Sequence, residues 1–462
     1  MSFNPSQARA IRHKDGPMLV LAGPGSGKTL VITERTKYLI EECGISPSNI
    51  LVITFTKAAA AEMRERISQA ILKRLNEDGG NEHLQRQAAI IHNAQITTID
   101  SFCLFVLRNN FEDIGLDPAF RIADEGEVEL LSQDVMKEML EEHFAAGEER
   151  FFHTIEYFCP NGRESVLESH ILQLCRYALS YPFPEKWLRE RKKDYVYETV
   201  EDIAASDAGV FLFGHLQKLL AGVAEELKRA ESICEEPDGP YMYGEVLEQE
   251  REAIEKIARA ENLVRLSELF PAFMPGKFPG KKDDSVSAEK REQVKNLHDK
   301  IKNMVKKMQT SYFNLPFETV FRQAKTAAEA VESLVDLSLE FMERLKVKKT
   351  DKKLLDFSDM EHYALQILVE EDEEGNMVPT KTALEYRDYF EEVLIDEYQD
   401  SNLVQEYLLK AVAREEDGKK NRFMVGDVKQ SIYKFRLARP ELFLEKYDTY
   451  SLTDGENRKI DL

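Results

Sequence analysis

Two stretches of this sequence carry residue types at spacings that could do chemistry. The first is Ala22-Gly23-Pro24-Gly25-Ser26-Gly27-Lys28-Thr29, and the second is the acid pair Asp396-Glu397. Alternating glycines followed by Lys and Thr have the spacing of a phosphate-binding loop. Such glycines let backbone N–H groups close around phosphate oxygens, and a helix starting there adds its partial positive end. Lys28 would reach the β- and γ-phosphates, and the Thr29 hydroxyl would ligate Mg²⁺. Asp396 can hold Mg²⁺ through water, and Glu397 can orient and deprotonate an attacking water. The chemistry is hydrolysis of a nucleoside triphosphate. The plainer readings are a Gly-rich connection and a solvated strand end, and each weakens because the other half is present.

The elements that must position these groups are legible as apolar runs. Met18-Leu19-Val20-Leu21 reads as a buried strand before the loop, and Leu30 to about Ile40 as the helix after it. Asn49 to Thr56 reads as a second strand, leading into a strong helix former from Lys57 to Arg66. Ala94 to Ile99 is a third strand candidate. Glu392-Val393-Leu394-Ile395 runs into the acid pair, and Arg422-Phe423-Met424-Val425-Gly426-Asp427 leads to Gln430 and on to Tyr433, Phe435 and Arg436. Strands alternating with helices predict a parallel sheet with its ligands at the strands' carboxyl ends. Near the start, Phe3-Asn4-Pro5-Ser6-Gln7 precedes a short helical pattern. The Gln7 amide could pair with one face of adenine; a glutamine at a helix start is also commonly just solvated.

From about residue 122 to 390 the alternation gives way to long charged helical patterns, such as Glu125 to His143, Gly244 to Phe270 and Ala327 to Lys346. Loops break them near Tyr181-Pro182-Phe183-Pro184, near Glu236 to Pro240, and over Pro271 to Lys282. The next helix carries Lys290, Arg291, Lys295, Lys300, Lys302, Lys306 and Lys307, a face that suits either a phosphate backbone or plain solvent. The two halves of one nucleotide site thus flank a helical stretch too long for a single α/β domain, which makes that stretch an insertion. The expected order is 1–121 as the first motor segment, 122–385 as the helical insertion, and 386–462 as the second motor segment.

The 462 residues carry 62 Lys and Arg against 84 Asp and Glu, a formal charge of −22, so there is no general basic coat for nucleic acid. DNA contact would need a local groove. The five cysteines are scattered without a Cys-x-x-Cys pair, which predicts free thiols in a reducing compartment and no zinc site. No signal-peptide pattern or membrane-length apolar run is seen, so a cytoplasmic protein is expected.

Taken in order, the motifs resemble those of the UvrD/Rep/PcrA-like superfamily 1 DNA helicases. Phe3-Asn4-x-x-Gln7 resembles the adenine-reading Q motif, and Ala22 to Thr29 motif I. Thr54-Phe55-Thr56 with Ala59 to Met63 resembles motif Ia, and Thr98-Ile99-Asp100-Ser101-Phe102 motif Ib, with Asp100 where His is more usual. Leu355-Asp356-Phe357-Ser358-Asp359 resembles the stretch leading back into the motor. Asp396 to Asp400 is similar to motif II, and Gly426-Asp427 with Gln430-Ser431-Ile432-Tyr433 to motif III. Within the family, Phe120 to Glu125, Leu355 to Leu365 and Val425 to Leu437 look most like AddA (RexA) helicase-nuclease subunits, while Pro24 in the loop looks closer to UvrD and PcrA.

The resemblance implies an α/β fold, a RecA-like P-loop parallel-sheet domain interrupted by a large, mostly α-helical insertion of the 1B type. It implies ATP with Mg²⁺, and 3′ to 5′ stepping on single-stranded DNA. Ala22 to Thr29, Gln7 and Asp396 would hold the nucleotide, with Glu397, Lys28 and Gln430 as the reacting set. Phe55, Thr56, Ser101, Phe102, Tyr433, Phe435 and Arg436 would face DNA, with Phe435 where relatives often carry Trp. The plainer reading of Tyr433 and Phe435 is packing in a core. DNA ends and an AddB-type protein would be partners. The second RecA-like domain and a nuclease domain would lie past Leu462, so very slow hydrolysis is expected of this stretch alone. A UvrD/PcrA-type repair helicase without nuclease and a non-motor nucleotide-binding module remain alternatives. A small-molecule kinase suits Glu397 and Gln430 poorly.

Overall fold

Fully apolar runs, unlike alternating ones, need cover on both faces, and this chain supplies it. The computed structural model describes residues 3–13, 16–77, 82–281, 283–415, 418–431, 437–453 and 455–462. Its strands are β1 (Met18–Leu21), β2 (Ile50–Thr54), β3 (Gln95–Thr98), β4 (Arg121–Ile122), β5 (Leu354–Leu355), β6 (Val369–Glu371), β7 (Met377–Pro379), β8 (Glu392–Ile395), β9 (Arg422–Gly426) and β10 (Arg458–Asp461). Six of them form one sheet in the order β10-β1-β9-β8-β2-β3, with every pair parallel. β4 pairs with β5, and β6 with β7.

The chain divides into two compact units, one of residues 1–146, 168–188 and 337–462, the other of 147–167 and 189–336. In the first unit the period-two alternation of each strand feeds two cores. Leu19, Leu51, Ile53, Val393, Ile395 and Met424 face one core, where Phe102, Val106, Met360, Leu365 and Leu408 cover them. Val20, Val52, Leu394, Phe423 and Val425 face the other, under Val31, Ile32, Met63 and Ile67. The helix Phe357–Leu368, from within the helical stretch, therefore covers the sheet. Its start is set by a capping box in which the Asp356 carboxylate accepts the Asp359 N–H at 2.8 Å and the Asp359 carboxylate accepts the Asp356 N–H at 2.9 Å.

The second unit is helical around Leu220, Val223, Leu247, Ile254, Phe270 and Ile301. The single helical pattern expected from Gly244 to Phe270 is two helices, Gly244–Ala258 and Leu263–Leu269. Asn262 caps the second by accepting the Arg265 N–H at 2.9 Å, and an N-cap with extended backbone cannot lie inside a continuing helix. On the Lys-rich helix, Ala288–Tyr312, Lys290 pairs with Glu236 and Asp238, and Lys300 with Glu226. These two of the seven cations on that helix are thus paired within the unit.

Beneath the sheet lies a buried charge network. Glu406 accepts from Arg422 Nη1 at 3.0 Å, Lys446 Nζ at 3.1 Å and the Tyr398 hydroxyl at 2.9 Å. Burial works to raise its pKa, but the charges of Arg422 and Lys446 prevail and hold it below the ordinary glutamate value. Glu406→Ala would strand the Lys446 ammonium and leave Arg422 with Glu415 alone, so unfolding in urea is expected to show a loss of about 3–5 kcal/mol. An unchanged midpoint would show that the network adds no stability.

Candidate functional site

Because all six strands run parallel, the segments after β1, β8 and β9 emerge on one edge of the sheet. The loop after β1 begins with the Ala22 N–H donating to the Gly426 carbonyl at 3.0 Å, which ties it to the end of β9. Gly25 and Gly27 have φ of +75° and +90°, conformations that side chains disfavour. A Cβ on Gly23 or Gly25 would meet nothing within 4 Å, so the loop's concave backbone faces open space. The helix Lys28–Glu41 starts directly from this loop. An open loop of this shape at a helix start suits a polyphosphate.

Side chains from all three segments converge on Lys28. Its ammonium donates to Glu397 Oε2 at 2.5 Å and to Gln430 Oε1 at 3.0 Å. Thr29 Oγ1 lies 3.5 Å from Asp396 Oδ2. Asp396 is 8% exposed, and its pKa is pushed up to about 6, first by burial and then by the neighbouring Glu397 charge. Two adjacent carboxylates in that state form a donor set that a divalent cation would stabilise. Among the described residues no group of three or more His, Cys, Asp or Glu is placed to hold a metal unaided. Thr29 and Asp396 would therefore supply a minority of the ligands, as suits Mg²⁺, which keeps waters and phosphate oxygens. Glu397 itself sits at φ +50°, a left-handed conformation rare for glutamate and of order 1–3 kcal/mol uphill.

The remaining candidates are placed unevenly. Gln7 caps its own helix, with Oε1 accepting the Asn4 N–H at 3.1 Å, while Nε2 donates to the Ser26 carbonyl at 3.0 Å. One N–H and one lone pair of the amide are left for other use. Ser26 Oγ donates to the Gly23 carbonyl at 2.8 Å inside the loop. Phe55 is half-buried and Thr56 exposed, and the Thr56 hydroxyl accepts the Ala59 N–H at 3.1 Å. Ser101 is half-buried, its hydroxyl 3.0 Å from Thr98 Oγ1. Phe102 is corrected: it is 0% exposed within the core, with its ring 6.2 Å from that of Phe390, and no DNA base can reach it. The helix face that meets the sheet, not the motif, decides which side chain turns inward. Tyr433, Phe435 and Arg436 lie outside the described residues.

A cavity of about 640 Å³ opens beside the acid pair, at the carboxyl ends of β2, β3 and β8. Asp100, Glu125, Glu361, Asp396, Glu397 and Asp400 all reach its wall, against Arg176 as the lining cation. Two residues not assigned from the sequence prove central to the site's geometry, Gln399 and Gly426. Gln399 stands within the motif already singled out, but nothing in its spacing marks it.

A parallel α/β sheet with a phosphate-loop-shaped turn facing an acid pair defines the class, and the comparisons with known proteins define the family. The sequence model of the UvrD/REP helicase N-terminal domain matches residues 3–451, and the chain belongs to that family. It is 42% identical over 468 residues to the A-type component of the ATP-dependent helicase/nuclease of Lachnoclostridium phytofermentans, covering 100% of this chain and 34% of that protein. The proteins of the same name from Clostridium perfringens strain SM101 and Clostridium botulinum strain Alaska E43 are 40% and 39% identical. These matches cover 99% and 100% of this chain and 36% and 37% of those proteins. The chain spans about a third of the length of the curated relatives it matches. No helix among the described residues is long and apolar enough to cross a membrane.

Proposed function

We propose that this chain is the ATP-binding motor half of a 3′ to 5′ DNA translocase of the AddA type, the helicase-nuclease component that processes DNA ends with an AddB-type partner. The observation that carries this reading is the Lys28 ammonium standing within 3.0 Å of both Glu397 and Gln430, three residues from segments scattered along the chain. The strand order supports it. β9 lies between β1 and β8, so the loop carrying Gln430 stands between the phosphate loop and the acid pair. A strand between the two is what a RecA-like core would have.

In this reading Ala22 to Thr29 cradle the phosphates, and Gln7 braces the loop and meets the adenine edge. Thr29 and Asp396 would hold Mg²⁺, whose charge would offset that of the phosphates. Lys28 exchanges its bond with Glu397 for phosphate oxygen, which releases the carboxylate to take a proton from water. Gln430 then reports the change to the segment after β9. Residues 1–121 and 386–462 are the motor segments and 122–385 the insertion, part of which, including Phe357–Leu368, covers the motor's own sheet. Phe55 and Thr56, with Tyr433, Phe435 and Arg436, face single-stranded DNA, where stacking is worth about 1–3 kcal/mol per base and tolerates any sequence. The protein works in the cytoplasm, where its DNA substrate lies.

An arginine supplied in cis or in trans is worth roughly 10³–10⁵ in rate in P-loop enzymes, so without one from a second RecA-like domain this stretch alone is expected to hydrolyse ATP very slowly. The deciding experiment measures ATP hydrolysis with and without single-stranded DNA, on this chain and on the full-length protein. Hydrolysis by the longer protein only, accelerated by DNA, is the expected result. A longer protein indifferent to DNA would replace the motor reading with a nucleotide-binding interaction module.

A further inference from the structure

We infer that Gln399 is a positioning residue that sets the Glu397 carboxylate and couples it to the turn after β9. The inference rests on the reading of Glu397 as the base that activates water. Gln399 is 1% exposed. Its Nε2 donates to Glu397 Oε2 at 2.8 Å and to Asp400 Oδ2 at 3.2 Å, while its Oε1 accepts the Asp427 N–H at 3.0 Å. Asp427 Oδ2 in turn accepts from Gln430 Nε2 at 2.7 Å, and Gln430 Oε1 accepts from Lys28, which donates to Glu397 Oε2. The contacts close a ring through the phosphate loop, the acid pair and the turn after β9.

The ring needs an amide at 399, because one end must donate and the other accept. Glutamate keeps the acceptor for Asp427 but has no donor for Glu397; methionine has neither. Both side-chain donors reaching Glu397 arrive at Oε2, which leaves Oε1 as the oxygen to take a proton from water. The backbone around Gln399 is shaped for it. A Cβ on Gly426 would collide with Gln399 Oε1 and stand 2.9 Å from Phe443 Cε2, so only glycine lets the strand end approach this closely. Moving the turn at Asp427 therefore moves Gln399, and with it the carboxylate. Turnover depends on the turn's position, while nucleotide binding, which uses the glycine loop and the Lys28 ammonium, does not require the Gln399 contacts.

The test compares Gln399→Glu, Gly426→Ala and Glu397→Gln in the full-length protein. Steady-state ATP hydrolysis is measured with and without single-stranded oligothymidylate, beside the thermal midpoint. Gln399→Glu is nearly isosteric and keeps the Asp427 bond; Gly426→Ala leaves every polar group present but displaces Gln399. Both are expected to lower kcat about tenfold to a hundredfold with KM for ATP within about twofold, the size of effect a misplaced reacting group gives. Both should also reduce the stimulation by DNA. If both variants turn over normally, or if the loss appears only as a lower thermal midpoint at full specific activity, the positioning role is overturned. If Glu397→Gln stops turnover while Gln399→Glu does not, the base stands and the coupling alone fails. If Glu397→Gln itself turns over normally, the base reading fails, and this inference with it.

Discussion

Glu397→Gln is expected to keep ATP bound and to stop its turnover. The amide is isosteric with the carboxylate, and its oxygen can still accept from Lys28, now 2.5 Å from Glu397 Oε2, and from Gln399. What it loses is the ability to take a proton. Removing a positioned general base costs roughly 10²–10⁴ in rate. In the full-length protein kcat should fall by that factor while the affinity for a fluorescent ATP analogue changes little. The left-handed backbone at Glu397 strengthens the expectation, since a strained conformation persists where the surrounding structure holds it in place. Retained turnover would remove Glu397 from the base role.

Lys28→Ala should instead act on binding. The side chain is 11% exposed, and its ammonium is held by Glu397 and Gln430 at the mouth of an open glycine loop. A charge-assisted hydrogen bond to phosphate is worth about 1.5–3 kcal/mol, so losing it weakens nucleotide binding by roughly ten- to a hundredfold or more. The substitution also strips Glu397 of its cation and leaves like charges at Asp396 and Glu397 facing each other, which further disfavours an incoming polyanion. Titration with the same fluorescent analogue on this chain measures the loss directly. Unchanged affinity would show that the loop does not hold phosphate through Lys28.

Most of the sheet was legible because its strands are continuous apolar runs that can be stable only when buried on both faces. Met18–Leu21 coincides with its expected span, and β2, β3, β8 and β9 lie within a residue or two of theirs. β10 escaped notice because Arg458–Asp461 offers one buried apolar side chain, Ile460; backbone pairing with β1 makes it a strand. The helix boundary at Asn262 escaped for a similar reason. A polar cap side chain inside a charged helical pattern looks like any other exposed residue. Phe102 lies in the core although its motif suggests DNA, since a motif records which residues recur, whereas burial depends on which helix face meets the sheet.

The sequence by itself determined the chemistry that the chain can offer. Glycine spacing, Lys28-Thr29 and Asp396-Glu397 are local patterns whose meaning comes from covalent order, and strand runs around them follow from hydrophobic periodicity. Only the tertiary structure decided which of these groups meet. Lys28 and Glu397 stand 369 residues apart in the chain and 2.5 Å apart in space. Gln399 joins Glu397 to Asp427 through both ends of one amide, and Gly426 is needed because that amide and the Phe443 ring lie against it. Hydrogen bonds and close contacts of this kind act over a few ångströms, so they depend on strand order and register. No local pattern of residue types encodes those.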